Sequence, residues 1–307
     1  MPAAALRLHG EKAMIPIFPS FKPLEISQRA EIAEHLAATP RDICELCVGN
    51  LFIWQDFDRP RVTLINENVC VTINPPNEPP YYLEPFGANK LTETVDICLR
   101  HAGRISRASE MFIALLPPGA YKINSLRSHF DYIYLTKDLA ELKGKKYDGK
   151  RNHIKKFRGR HPGYEYLPLG NGMKKEALAL FEKWFVSREE SRYFPRLAHT
   201  AQKGALTTAF TYFKELGLFG GTLMVGGKLS GFTIGSAIRD DLVSIHFAYG
   251  DPSMRGISQT LFYEAFNKTY GAFKYADLEQ DLGIPGLRKM KLSYYPMKLE
   301  KKYEITL

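Results

Sequence analysis

Residues 221–271 read GTLMVGGKLSGFTIGSAIRDDLVSIHFAYGDPSMRGISQTLFYEAFNKTYG, and this stretch decides the fold. Two β-rich runs, GTLMV and KLSGFTIGSAI, flank Gly226 and Gly227, a pair suited to a two-residue hairpin turn whose central residues need positive φ. LVSIHFAYG supplies a third strand, and GISQTLFYEAFNKTYG returns to helical spacing. Downstream, KYADLEQDL gives a strand and short loop, IPGLRKMKLSYY a helix with Pro285 near its start, and KKYEITL a closing strand. Upstream, MKKEALALFEKWFVSREES and TTAFTYFKELGL are amphipathic helices, the first with an apolar stripe of Leu178, Phe181, Trp184 and Phe185.

The first half runs in a similar order. After Pro23, EISQRAEIAEHLAAT spaces Ile26, Ala30, Ala33 and Ala37 as a helix does, and DICELCVGNLFIWQDF continues apolar on several sides, as a buried helix would. RVTLI and VCVTI flank the polar turn NEN, KLTETVDICLRHAG is helical, and MFIALLP and FDYIYLT are short apolar runs suited to covered strands. Helices, antiparallel strands, helix, strand, helix, strand resembles the order of the GNAT (acyl-CoA N-acyltransferase) fold, met twice. The expected class is therefore α/β, two tandem GNAT-like domains with mixed central sheets flanked by helices. The division falls at 1–145 and 146–307, with the basic helix around 138–160 as connector.

A chain of 307 residues has room for two ordinary cores, and its 45% hydrophobic and 24% charged residues exclude a disordered protein. The net charge of +9 is concentrated: between Lys143 and His161, six lysines and three arginines face the single acid Asp148. Such a field favours nucleic acid, an anionic cofactor or an acidic membrane surface, although a solvated helix face is the plainer reading. Four cysteines cannot staple a chain of this size, the start MPAAALRLHGEKAMIPIFP lacks a secretory pattern, and no run approaches the roughly 18 apolar residues of a membrane span. A cytoplasmic protein with reduced thiols and no transmembrane segment is expected. Cys44 and Cys47 have the spacing of a metal or redox pair, yet no second Cys pair or close His pair accompanies them, so they read as core residues of a helix and no metal is expected.

Three segments could carry chemistry. In YGDPSMRGISQTLF, a strand end opens a helix, where backbone N–H groups can cradle an anion; Arg255, Gly256 and Ser258 are the candidates. The coenzyme A fingerprint (Arg or Gln, two residues, Gly, one residue, Gly or Ala) is only partly met, because Ser253 and Ser258 stand at its outer positions. In LKGKKYDGKRNHIKKF, Tyr147, Ile154 and Phe157 share a packing face, leaving Lys150, Arg151 and Asn152 for phosphate oxygens and His153 as a surface residue. In YADLEQDLGIPGLRKMKLSYYP, Glu279 and Asp281 alternate and so point to one side of an extended chain, with Arg288 and Lys291 following. Carboxylates at a strand end before helical cations could position an amine beside a phosphorylated donor, or could simply form salt bridges.

Taken together, YIYLTKDLAELKGKKYDGKRNHIKKF, ICELCVGNLFIWQ and DLEQDLGIPGLRKMKLSYYP resemble the bacterial family named for the phosphatidylglycerol lysyltransferase C-terminal domain, over most of residues 20–307. That resemblance implies a tandem GNAT arrangement and aminoacyl transfer from tRNA to a lipid headgroup hydroxyl. An aminoacyl ester is already activated, so no covalent intermediate and no further cofactor is required; aminoacyl-tRNA or acyl-CoA serves as co-substrate. Glu279 or Asp281 would orient the acceptor or the donor amine, Arg288 and Lys291 would meet phosphate or developing negative charge, and Lys150 with Arg151 would hold the donor's phosphates. The expected partners are tRNA and an anionic membrane surface or lipid headgroup. Two alternatives stay open: a non-catalytic GNAT pair that binds tRNA or another polyanion, and a coenzyme A dependent N-acyltransferase of a small amine.

Overall fold

The computed structural model describes residues 15–39, 41–189 and 196–307; the chain start at 1–14 and the last residues of the SREES segment lie outside the described residues. In chain order the first part gives β1 (Lys22–Pro23), α1 (Arg29–Ala38), α2 (Val48–Ile53), α3 (Gln55–Asp58), β2 (Arg61–Ile65), β3 (Asn68–Ile73), β4 (Tyr81–Tyr82), α4 (Leu91–Ala102), β5 (Ile105–Ser109), α5 (Glu110–Ile113), β6 (Lys122–Ser125), β7 (Asp131–Leu135) and α6 (Thr136–Glu141). The remainder gives α7 (Asp148–Arg160), β8 (Glu165–Pro168), α8 (Lys174–Glu189), α9 (Arg196–Thr211), β9 (Phe219–Val225), β10 (Lys228–Arg239), β11 (Leu242–Gly250), α10 (Ile257–Lys268), β12 (Tyr275–Asp277), α11 (Pro285–Leu292), β13 (Lys298–Glu300) and β14 (Lys302–Thr306).

Turn chemistry sets the hairpins. Gly226 and Gly227 carry φ of 57° and 72° between β9 and β10, and Asn66 and Glu67 carry 48° and 65° between β2 and β3. Two successive positive φ values give the turn whose twist matches that of paired strands.

The strands form two seven-stranded sheets, β1-β2-β3-β4-β5-β14-β6 and β13-β7-β12-β11-β10-β9-β8. Each half therefore lends a strand to the other: β7 lies between β12 and β13, and β14 lies between β5 and β6. The division of the sheets does not coincide with a cut at 145. The basic helix α7 joins β7 to β8, both of the second sheet, so the chain has already crossed before the connector begins. One apolar cluster spans both sheets, with Phe52, Ile53 and Val71 from the first half and Phe232, Ile234 and Phe247 from the second. Burial of each large side chain contributes about 1.5–3 kcal/mol, which ties the halves together.

Two local expectations are corrected. MFIALLP is not a strand: β5 ends at Ser109, whose Oγ accepts from Phe112 N at 3.1 Å and starts α5 instead. Nor is DICELCVGNLFIWQDF one helix. Cys44–Leu46 form a tight 3₁₀ turn, Cys47 is extended, and only then does α2 begin; Asp131 draws the turn out by accepting from Cys44 N at 2.9 Å. Among the described residues no helix is long and apolar enough to cross a membrane.

Candidate active site between the two sheets

The site is built by the loop that follows β12. Glu279 and Leu282 adopt φ of 58° and 52°, so the chain curls here rather than running extended. Glu279 and Asp281 consequently face different surroundings, against the expectation from their alternation. The Asp277 carboxylate fixes the curl by accepting from Glu279 N at 2.6 Å.

Glu279 points toward the second sheet and the start of α2. Its Oε1 accepts from Asn50 Nδ2 at 3.2 Å, Ser244 Oγ at 3.0 Å and His246 Nδ1 at 2.8 Å. The relay continues inward, with His246 Nε2 2.7 Å from Ser236 Oγ and Cys47 Sγ 3.0 Å from that same oxygen. Burial alone would depress His246, but Cys47 and Glu279 push it up to about 9. Burial likewise opposes charge on Glu279, and His246 overcomes it, holding the carboxyl below its ordinary value. The pair is thus an imidazolium and a carboxylate at neutral pH, with the carboxylate at the outer end.

Asp281 faces the other way and is buried. It accepts from Arg288 Nε at 2.8 Å and Nη2 at 3.0 Å, from Arg127 Nη1 at 3.0 Å, from Tyr132 Oη at 2.6 Å and from Gly283 N at 2.8 Å. Despite burial, Arg288, Tyr132 and the Gly283 N–H hold its carboxyl well below the usual range. Lys291 is also buried and donates to the Leu278 and Gln280 carbonyls, while burial pulls its ammonium below the ordinary lysine value. Of the four residues expected to carry chemistry, Glu279 reaches the central cavity and Arg288 a groove along α11; Asp281, Arg288 and Lys291 clamp the loop that presents Glu279.

That cavity, of about 210 Å³, lies between the halves, with Trp54, Phe57 and Asp58 of α2–α3, Tyr81 and Arg107 of the first sheet, and Glu279 in its walls. Burial pushes Asp58 up to about 7, against the attraction of Arg107 and with the help of Glu45 and Glu78. Glu45 also lines it. Behind Glu45, the donor atoms of Cys44, Glu45 and Asp131 lie within 4.8 Å of one another, as metal ligands could. The Lys302 ammonium stands among them instead, 2.8 Å from Asp131 Oδ2, paired with Glu45, and 3.5 Å from Cys44 Sγ. Burial opposes that ammonium, but Asp131, Cys44 and Glu45 raise it well above the ordinary lysine value. Cys44 is therefore a member of a buried ionic cluster rather than a residue of an apolar helix.

The residues expected to hold phosphate divide. Arg151 is spent on the chain itself, donating to the Leu142 carbonyl, to the Gly144 carbonyl at 2.9 Å and to Asp148. Lys150 reaches α11, donating to Ser293 Oγ at 2.7 Å with its ammonium 3.9 Å from the Tyr294 ring centre. Asn152 is exposed. Arg255, Gly256 and Ser258 together border an open cavity of about 410 Å³ at the start of α10. Gly256 has φ 94°, and a Cβ there would lie 2.6 Å from the His153 carbonyl, so its glycine is required by the close approach of α7. A groove along α11, lined by Gly283, Arg288, Lys289, Ser293 and Tyr295, begins one residue beyond Leu282, a wall of the central cavity, and ends where Lys150 meets Ser293. Lys146 lies 4.9 Å from the Tyr295 ring centre at that end.

Sequence reading missed Asp58, Arg107, Ser236 and the Asp131–Lys302 pair. His246 left a signal: a single imidazole inside the apolar run LVSIHFAYG needs a buried partner.

The model of the family described as phosphatidylglycerol lysyltransferase, C-terminal, matches residues 37–306. The chain belongs to that family. Among solved structures it is similar to a conserved protein of unknown function from Bacteroides thetaiotaomicron, with 31% identity, a TM-score of 0.84, and coverage of 96% of this chain and 100% of that one. L-PGS from Bacillus licheniformis has the same fold at 15% identity and a TM-score of 0.62, over 90% of this chain and 91% of that one. A tandem GNAT protein from the clavulanic acid biosynthesis pathway follows at 10% identity and a TM-score of 0.50, over 94% and 98%. Among proteins of curated function, none matches. The fold is accordingly a tandem GNAT-like one, with two mixed sheets flanked by helices.

Proposed function

We propose that this member of the family is an acyltransferase that moves an aminoacyl group from a phosphorylated donor, aminoacyl-tRNA, to a hydroxyl or amine acceptor such as a lipid headgroup. The observation that carries the reading is a central cavity and a cationic groove whose walls include consecutive residues, Leu282 in the one and Gly283 in the other. The cavity presents aromatic walls and the Glu279 carboxylate, complementary to an ammonium group. Its wall residue Leu282 adjoins the groove that holds Arg288 and Lys289 and ends at Lys150. A donor whose aminoacyl end enters the cavity would lay its phosphates along that groove. Binding of the ester close to the acceptor supplies orientation, which for an activated acyl group is the main requirement.

The test is incubation with charged tRNA pools and, separately, acyl-CoA pools in the presence of a lipid and metabolite extract, followed by mass spectrometry. Aminoacyl products from tRNA support the proposal. The cavity at the start of α10, with Arg255 and Ser258 on its border, favours a second reading, coenzyme A as donor. Consumption of acyl-CoA, with thermal protection by micromolar acetyl-CoA, would select it. Retention of tRNA without consumption of either donor would instead select the polyanion-binding module.

A further inference from the structure

Glu279 takes all three of its donors on Oε1, and, against burial, His246 holds the carboxyl below its ordinary value, which suits it to anchor an ammonium on Oε2 rather than to accept a proton. A second carboxylate borders the same cavity. Asp58, at the last turn of α3, has no hydrogen-bond or ion-pair partner of its side chain among the described residues, although it sits beside Arg107. Arg107 is itself only partly committed. Its Nη2 donates to Glu78 Oε1 at 2.8 Å, its guanidinium lies 4.5 Å from the Tyr81 ring centre, and its buried Nη1 has no hydrogen-bond partner among the described residues. Asp58, without a side-chain partner among the described residues, and Arg107, whose Nε also pairs with Glu45 at 3.8 Å and whose Nη1 keeps an unused N–H, thus line the same cavity as the Glu279 carboxylate.

We infer that Asp58 is the proton acceptor of the transfer and that Arg107 stabilises the oxyanion, an assignment that rests on the acyltransferase reading above and deepens it. The acceptor's hydroxyl or amine gives its proton to the Asp58 carboxylate as its oxygen or nitrogen bonds to the ester carbonyl carbon. The carbonyl π pair moves onto oxygen, where the Arg107 N–H donates. Collapse of the tetrahedral intermediate breaks the bond to the donor's ribose oxygen, which leaves with the proton returned by Asp58. No redox partner is needed, and atoms balance as one ester exchanged for another ester or an amide.

Burial suits Asp58 to this task by placing its titration near 7, where a base is both available and strong enough. The charged groups that set this value are Arg107 on β5, which lowers it, and Glu45 in the 3₁₀ turn and Glu78 before β4, which raise it. Glu279 lines the same cavity.

The experiment follows the transfer rate from a charged tRNA pool, with the extract as acceptor, between pH 5.5 and 8.5 for the wild-type protein, Asp58→Asn, Asp58→Glu and Arg107→Gln. Binding of lysine methyl ester, which carries an ammonium and an esterified carboxyl, reports that each cavity is intact. The wild-type rate falls as pH drops through about 7. Asp58→Asn slows transfer by about 100-fold or more and loses that limb, yet binds the ester within about threefold of wild type; Asp58→Glu restores part of the rate. Arg107→Gln slows transfer and moves the limb to higher pH, since the guanidinium that favours the carboxylate is gone. An Asp58→Asn protein that transfers at the wild-type rate, or keeps the limb, overturns Asp58 as the base while leaving the acyltransferase reading standing. A wild-type protein that transfers nothing overturns both.

Discussion

Replacing Lys302 by Met removes the ammonium that stands among Cys44, Glu45 and Asp131 while keeping the length and bulk of the side chain. Lys302 and Asp131 are both fully buried, 2.8 Å apart, and Glu45 is nearly so. Breaking a buried pair by removing one partner costs about 3–5 kcal/mol, because the remaining carboxylate keeps its desolvation penalty without compensation. For a chain of this size each kcal/mol moves Tm by about 1.5 °C, so the variant should melt about 4–8 °C lower at pH 7.5. The sign with pH follows from Asp131, which burial already pushes up to about 6 beside Lys302 and which would rise further without it. A carboxyl raised in the folded state loses stability as pH climbs toward its folded pKa, and regains it as pH falls and the group protonates. The deficit of Lys302→Met should therefore shrink between pH 7.5 and 5.5. Circular dichroism melts of both proteins at the two values measure it. A drop under about 2 °C at pH 7.5, or a deficit that grows on acidification, would refute the description of this cluster as a buried ionic lock between exchanged strands.

Three further outcomes are expected. His246, raised to about 9 by its partners, lends stability that is complete below its ordinary value near 6.5 and is lost as pH rises through about 9; His246→Gln should flatten the stability profile between those values in urea titrations. Gly256→Ala places a Cβ 2.6 Å from the His153 carbonyl at φ 94°, and should cost about 1–3 kcal/mol in chemical denaturation by forcing α7 away from α10. Lys289→Glu, in the α11 groove, should weaken RNA retention and reduce its salt slope by about one, whereas Arg151→Gln, whose guanidinium is spent on backbone carbonyls, should lower melting temperature and leave the slope unchanged.

What the sequence disclosed follows from which interactions are local. The β9–β10 hairpin was legible because Gly226 and Gly227 announce their own backbone geometry, and α11 because Pro285 sits where a helix tolerates it. Exchange of β7 and β14 was not, since a strand's apolar run says that it is covered and not which sheet covers it. The loop after β12 showed its residue types but not their directions. Alternation holds only for extended chain, and positive φ at Glu279, a non-glycine residue, has no sequence signature. Asp58 and Arg107 stand 49 positions apart in the chain and meet only through packing. Cations raised a different difficulty: Arg151 and Lys150 are adjacent in a basic run, yet one caps carbonyls and the other reaches α11, a distinction set by what lies above each side chain.

The proposed function requires Glu279 to be the anion that receives an ammonium group inside the central cavity. Calorimetric titration of lysine methyl ester into the wild-type protein and Glu279→Gln at pH 7.5, with Lys289→Glu as a control outside the cavity, tests this most directly. Binding that falls at least about tenfold in Glu279→Gln, a loss of about 1.4 kcal/mol, and persists in the control is the predicted result. Equal affinity in wild type and Glu279→Gln would contradict it.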